Sequence, residues 1–341
     1  MNDVQPMEVE RVSAVSTVAS AATMIGTADP TLASCDGVGL DSNDTLATIH
    51  AMRRQEESGY LIADYFSMPR SVQIVGQPAD VECRAAMATW TVQIVDHCSF
   101  KRETAAISIS FLDRFLSSSD GQQNVITDRH QFQLAAMACL YTAVKIHEKE
   151  AVTPELIAQL SNGAHCKEDV EAMEMRILSA LQWRVNPPTA SAFVHQFVSL
   201  LSTIIPDPGF RATAIDLAHF QVELAVCDYA MVTRRASWIA LCALLNAAES
   251  LLDNERYAHV EAVLCQASGV QDMICEVPHM SLELQQLRIR LYEAIADDDS
   301  GGGSSSSFAM EQTPVSEEYD DSMKLSGDIV DDSPRSISQP Q

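Results

Sequence analysis

The chain has 341 residues, enough for two domains of ordinary size, and its 47% hydrophobic and 20% charged residues are typical of a globular protein. Of the net charge of −25, residues 1–45 contribute −6 and residues 297–341 contribute −9, which leaves −10 for the middle. Such an acidic chain lacks the basic surface that binds a nucleic-acid backbone, so direct binding of DNA or RNA is not expected. No stretch approaches the about 18 apolar residues of a membrane span, so no membrane contact is expected either.

The cysteines and glycines also narrow the choice of protein class. Nine cysteines are spread singly without a Cys-x-x-Cys pair, which favours free thiols in a reducing compartment and predicts a soluble intracellular protein. Only 13 glycines are present, and residues 46–296 rarely show the apolar–polar alternation of half-buried strands. These features predict an all-α fold.

The beginning of the chain predicts a disordered arm and one short helix. Residues 1–43 are rich in Ser, Thr, Ala, Asp and Gly without a sustained period, which is typical of disorder. A helix is expected from Thr45 to Tyr60, followed by an extended linker that closes at Pro69.

Residues 82–117 contain two successive apolar helix patterns, and the rest of the chain is expected to pack on them. The first helix is apolar nearly all round, which predicts that it is buried among others. Each of the two helices contains a charged residue in these apolar surroundings: Arg84 in the first and Asp113 in the second. Since burying an unpaired charge is prohibitively costly, we expect these two side chains to pair with each other.

Further helices follow in two groups. Asp128 introduces a third apolar run, Thr153 caps a short fourth helix, and residues 167–181 make a fifth, before the boundary at Asn186-Pro187-Pro188-Thr189. Five more helices are predicted at about 189–204, 208–230, 234–251, 254–267 and 281–296. The predicted organisation is an arm at 1–43, a first bundle with its preceding helix at 44–186, a second bundle at 187–296 and a disordered acidic tail at 297–341.

The residues of the first group resemble the cyclin box, the helical module of the regulatory subunits of cyclin-dependent protein kinases. The resemblance rests on an Arg that opens the first helix, a Trp six residues later and the run FLDRFL in the second helix. Five signature positions occur in the family's order: Arg84, Asp113, Leu134, Lys145 and Glu174. Residues 54–66, RQEESGYLIADYF, additionally resemble the segment that precedes the box in D-type cyclins. The resemblance implies a fold of two successive five-helix bundles.

The resemblance also implies roles for individual residues. Arg84 and Asp113 would form the buried ion pair between the first two box helices, and Leu134 would belong to the core. Lys145 and Glu174 would contact a cyclin-dependent Ser/Thr protein kinase, the ammonium at carbonyl groups and the carboxylate at amide N–H groups. Three neighbouring apolar residues are expected to add affinity to that contact: Leu140, Val144 and Met173.

A second family site is a groove that docks kinase substrates or inhibitors. Its floor would be Cys83, Met87, Trp90 and Gln133. This sequence departs from the family pattern there, because Ala86 and Cys83 replace larger apolar residues and Gln93 replaces an acidic one. We therefore expect weakened or altered docking.

Other readings of the sequence have less support. His147-Glu148 resembles the start of a zinc-binding helix, but position 151 lacks the second His, and no metal or other cofactor is predicted. Thr313-Pro314 and Ser333-Pro334 fit the requirement of proline-directed kinases for phosphorylation. The interpretation is a non-catalytic kinase-regulating cyclin, in the nucleus and also in the cytoplasm, with G1 entry favoured. The alternatives are a transcription-associated cyclin or a cyclin-fold transcription scaffold, and the −10 charge disfavours the scaffold.

Overall fold

The computed structural model describes residues 42–68, 77–150, 152–202, 204–270 and 280–300. Eleven α-helices occupy this part of the chain, and no β-strand occurs within these ranges. The prediction of an all-α fold is confirmed. Most of the predicted arm and acidic tail, together with Thr313 and Ser333, lie outside the described residues.

The helices form two groups in chain order, preceded by one further helix. Helix α1 spans Ser42–Glu57, α2 Val81–His97, α3 Arg102–Leu116, α4 Arg129–His147, α5 Pro154–Gln159 and α6 Lys167–Ala180. The second group comprises α7 Ala190–Leu201, α8 Pro208–Cys227, α9 Ala236–Leu251, α10 Asn254–Ala267 and α11 Met280–Ser300. The last helix therefore continues four residues past the end expected at 296.

Side chains at the helix starts explain several of these boundaries. The Asp128 carboxylate accepts a hydrogen bond from the backbone N–H of His130, at the start of α4. The Thr153 hydroxyl accepts from the backbone N–H of Leu156, so the predicted N-cap of α5 is confirmed. Each such cap stabilises its helix by about 1 kcal/mol, because it satisfies an N–H group that has no partner within the helix.

Two large clusters of buried apolar side chains form the cores. The first core draws on α2–α6, with Phe111, Phe115 and Phe132 fully or almost fully buried. The second core draws on α7–α11 and includes Phe193 and Phe197. Each group of five helices thus surrounds its own core, which is the arrangement that the sequence predicts.

Helix α1 precedes the first group in sequence but packs beside the second core. Ile49 is fully buried there, and α1 contacts α7 and α10. The Glu56 carboxylate accepts hydrogen bonds from the Ser237 backbone N–H at 3.0 Å and from the Ser237 hydroxyl at 2.7 Å, at the start of α9. Burial raises the pKa of Glu56, although these hydrogen bonds work to lower it. The helix is therefore anchored by a desolvated carboxylate.

A short π-helical turn at Gly121–Val125 lies between α3 and α4. A Cβ atom at Gly121 would lie 2.2 Å from the backbone oxygen of Phe115, so no larger residue fits without movement of α3. Glycine therefore allows this turn to pack directly against the end of α3.

Candidate functional site

The buried ion pair between Arg84 and Asp113 joins α2 to α3. Nε of Arg84 donates to one Asp113 carboxylate oxygen and Nη2 donates to the other, both at 2.8 Å. The two side chains are 2% and 4% exposed, so water contributes almost nothing to their solvation. This bidentate geometry is what allows a guanidinium and a carboxylate to remain charged inside a core.

Further groups complete this pair and extend it to the second bundle. The Tyr65 hydroxyl donates to Asp113 at 2.7 Å, and Arg84 also donates to the carbonyl oxygens of Val226 at 3.1 Å and Cys227 at 3.2 Å. Those carbonyls belong to the last turn of α8, where the helix itself provides no N–H partner. The ion pair therefore connects three helices and both bundles.

The electrostatics of this cluster follow from its burial. Burial works to lower the pKa of Arg84, but the charge and hydrogen bonds of Asp113 outweigh it, so the pKa lies above its ordinary value. Burial and then the Asp113 charge raise the pKa of the Tyr65 hydroxyl. The Tyr65 hydroxyl therefore remains protonated and continues to donate its hydrogen bond to Asp113. The sequence pattern missed this residue, because it lies in the segment expected to be an extended linker.

A second ion pair lies at the surface, between the end of α4 and the middle of α6. Nζ of Lys145 donates to both carboxylate oxygens of Glu174 at 3.2 Å, and the Thr142 hydroxyl lies 3.5 Å from one of them. The Lys145 side chain is 53% exposed, whereas that of Glu174 is 9% exposed. Burial works to lower the pKa of Lys145, but the hydrogen bond and charge of Glu174 raise it. The pair is ordered yet open to solvent on the lysine side.

The apolar residues expected beside this pair are not on the surface, and that prediction is wrong. Leu140, Val144 and Met173 are at most 1% exposed, since they point between the helices into the cores of the first bundle. They position Lys145 and Glu174 from behind but cannot contact a partner.

Other apolar side chains are exposed on α4, on α6 and in the segment after α6, and we call them the apolar edge: Ile146, Met175 and Trp183. Nε2 of His147 lies 3.0 Å from the Val185 carbonyl oxygen, which holds the segment after α6 against the end of α4. Trp183 is 63% exposed, and both Gln182 and Trp183 have positive φ angles, of 52° and 58°. Such angles cost non-glycine residues roughly 1–2 kcal/mol each.

The predicted docking groove lies on the outer side of α2 and the start of α4. Cys83, Met87 and Trp90 are partly buried against the first core, and Gln133 is partly buried as well. Leu134 beside it is 5% exposed and belongs to the first core. The groove residues thus support the core on one side and retain an accessible side, and their role in substrate docking stays a prediction.

Other site classes receive no support from the described part of the chain. Within it, no group of three or more His, Cys, Asp or Glu side chains could hold a metal ion. Among those same residues, no helix is both long and apolar enough to cross a membrane.

Comparison with known proteins identifies the first bundle. A family model described as the cyclin N-terminal domain matches residues 48–186. Cyclin-B2-1 of Arabidopsis thaliana is 28% identical over 249 residues, which cover 71% of this chain and 54% of that protein. Cyclin-A1-2 of Oryza sativa subsp. japonica is 24% identical over 176 residues, which cover 52% of this chain and 35% of that protein. The matches thus span about half or less of these curated relatives.

A solved structure shares the fold. The viral cyclin of herpesvirus saimiri superposes with a TM-score of 0.53 at 16% identity, over 72% of this chain and 97% of the viral chain. At this identity the likeness concerns the fold alone. The family model spans both ion pairs and the predicted docking groove. Residues 48–186 therefore belong to the cyclin N-terminal domain family.

Proposed function

We propose that this chain is a regulatory subunit that binds and activates a cyclin-dependent Ser/Thr protein kinase, without catalytic activity of its own. The observation that carries the proposal is the Lys145–Glu174 pair on the surface of the first bundle, beside the apolar edge. The names of the relatives support a cyclin role, and the kinase partner itself is inferred.

The pair is suited to exchange its internal contacts for contacts to a partner. Because Lys145 is about half exposed, water can solvate its ammonium when the pair separates, whereas the Glu174 carboxylate is 9% exposed and needs new N–H donors from the partner. The Lys145 ammonium can then donate to backbone carbonyls of the kinase, while the Glu174 carboxylate accepts from backbone N–H groups. These charge-assisted bonds fix the register of the complex.

The apolar edge would supply most of the affinity. Ile146, Met175 and Trp183 are 41%, 55% and 63% exposed, and aromatic side chains are the commonest sources of binding energy at interfaces. Burying them against the kinase shifts its equilibrium toward the state in which the catalytic Lys–Glu pair is formed. Activation is thus a population shift, in which the cyclin binds the active form more tightly.

The biological setting is also part of the proposal. We place the protein in cell-cycle control, in the nucleus and also in the cytoplasm. The preference for G1 entry rests only on the D-type resemblance of residues 54–66, whereas the two named relatives are a B-type and an A-type cyclin. Following the abundance of the protein through a synchronised cell cycle separates a G1 from a mitotic role.

The docking groove is a second proposed contact, for substrates or inhibitors of the kinase. Cys83 and Ala86 leave less apolar surface than larger side chains, so the groove is expected to bind weakly.

The test is reconstitution with purified cyclin-dependent kinases. Lys145→Glu places two carboxylates together at the proposed contact, and we expect it to abolish stimulation of kinase activity. The matched control is Lys167→Glu, because Lys167 is also an exposed lysine of the first bundle paired with a glutamate, Glu155. Equal stimulation by the wild type and Lys145→Glu would refute the assigned contact. Stimulation of no kinase at all by the wild-type chain would refute the proposed activation.

A further inference from the structure

A cavity lies between the two bundles. It encloses about 140 Å³, and its walls come from α1, α2 and α3 on one side and from α8, α9 and the segments before α7 and α9 on the other. Exposed Leu61 and Thr233 belong to its lining, so the cavity reaches the surface there. Ligand sites occur preferentially at such junctions between compact units.

The walls of the cavity are mainly apolar. They include Ile109, Val222, Ala225, Met231 and Ile239. A void of about 150 Å³ is large enough to hold a benzene ring, so the space fits one six-membered ring and little more.

Three polar side chains also line this space and retain hydrogen-bonding capacity. The Ser110 hydroxyl has no hydrogen bond to another residue that the structure describes. Nη1 of Arg84 donates one hydrogen to the Cys227 carbonyl oxygen and carries a second. The Glu56 carboxylate accepts from Ser237 and has further lone pairs. A ligand with one polar group can therefore be oriented as well as enclosed.

The charges around the cavity select a neutral ligand. An anion would approach the carboxylates of Asp113 and Glu56, and a cation would approach the guanidinium groups of Arg84 and Arg235. An additional charge would be desolvated without a free counter-ion, because Arg84, Asp113 and Arg235 already have counter-ions. The buried Glu56 carboxylate already accepts two hydrogen bonds from Ser237.

We propose that this inter-bundle cavity binds a small neutral aromatic molecule that carries one hydrogen-bond donor, of the size of phenol. The ring packs against the apolar walls, and the donor bonds to the Ser110 hydroxyl. Since both bundles contribute to the walls, a bound ligand stabilises their mutual arrangement.

The experiment titrates the full chain with phenol, toluene and benzoate, followed by protein-detected NMR. We expect saturable phenol binding at roughly millimolar or lower concentration, a range that ligand-efficiency limits allow for seven heavy atoms. Toluene, which lacks the donor, should bind about threefold to tenfold more weakly, the loss expected for one hydrogen bond. Benzoate should not bind at the cavity.

Two variants and a matched control locate the site. Ala225→Leu fills the cavity and should weaken phenol binding at least about tenfold, since the ring loses its space. Ala212→Leu makes the same change on the solvent-exposed side of α8 and should bind phenol as the wild type does. Ser110→Ala should weaken phenol about twofold to tenfold and leave toluene unchanged.

The proposal is overturned if phenol does not saturate, or if wild type and Ala225→Leu bind it equally. If Ala225→Leu fails to fold, the affinities of the wild type and Ser110→Ala for phenol and toluene test the proposal instead. A substitution that weakens the binding of phenol and of toluene equally would contradict the proposed hydrogen bond.

Discussion

Two ion pairs of the same charge types lie in the first bundle, about thirty residues apart in sequence in each case, and they differ in burial. Arg84–Asp113 is almost completely enclosed and shares its donors and acceptors with Tyr65, Val226 and Cys227. Lys145–Glu174 has one member that is about half exposed and few further partners. One pair is fixed in the core, whereas the other can separate.

The difference in burial determines what each ion pair can do: a buried pair stabilises the fold, whereas a partly exposed pair can contact another protein. Removing one member of a buried pair leaves a desolvated charge behind, which costs far more than the pair contributes. Removing one member of an exposed pair leaves a charge that water solvates. Lys145, as the half-exposed member, can therefore leave its pair at lower cost than either member of the buried pair, provided that a binding protein supplies new donors to the Glu174 carboxylate.

The largest expected effect is that of Asp113→Ala. The substitution leaves the buried Arg84 guanidinium and the Tyr65 hydroxyl without their acceptor, and we expect a loss of about 3–5 kcal/mol in the free energy of unfolding. Urea denaturation of the wild type and the variant measures it. Asp120→Ala is the matched control, because Asp120 pairs with Arg176 at a partly exposed position and should contribute no more than about 1 kcal/mol. Equal losses in the free energy of unfolding for Asp113→Ala and Asp120→Ala would contradict the conclusion that burial makes the Arg84–Asp113 pair essential to the fold.

Tyr65→Phe should have the next largest effect. It removes only the hydroxyl that donates to the Asp113 carboxylate, so the expected loss is about 1.5–3 kcal/mol, as for hydrogen bonds to charged groups. Tyr60→Phe serves as the control, since the Tyr60 hydroxyl has no hydrogen bond to another described residue. The same denaturation experiment compares them, and an unchanged stability of Tyr65→Phe would show that Asp113 does not need this donor.

Lys145→Met should have the smallest effect, about 1–2 kcal/mol near neutral pH, because the exposed ammonium contributes little itself but its loss leaves the 9% exposed Glu174 carboxylate without its cation. The pKa of Lys145 is raised in the folded protein, so its contribution is fully present below the unfolded pKa of about 10.4. That contribution is lost as the pH rises through the folded value. Unfolding of wild type and variant at pH 8 to 11 tests the sign, and a wild-type advantage that grew with pH would contradict it.

Much of the fold could be predicted from the sequence, because helix periodicity and caps are local properties. Thr153 identified the start of a helix, and the two charges at positions 84 and 113 in apolar surroundings pointed to a buried pair. Tyr65 could not be found in this way, since its partner lies in α3 and no local period marks a buried tyrosine in a connecting segment.

The surface beside Lys145 was harder to predict for a different reason. Helix α4 is apolar nearly all round, so periodicity does not indicate which of its faces meets solvent. Leu140 and Val144 were expected on the surface of the first bundle but are buried in its interior. The exposed Ile146 and Trp183 become visible only when the neighbouring helices are in place.

The central claim is that Lys145 and Glu174 serve binding while Arg84 and Asp113 serve the fold. The most direct test measures kinase affinity and the free energy of unfolding together for the double variant Lys145→Ala/Glu174→Ala. We predict that affinity falls about thirtyfold or more, the change expected from an interface hot spot of about 2 kcal/mol, while stability changes by no more than about 1 kcal/mol. Unchanged affinity, or a loss of stability as large as that of Asp113→Ala, would contradict the claim.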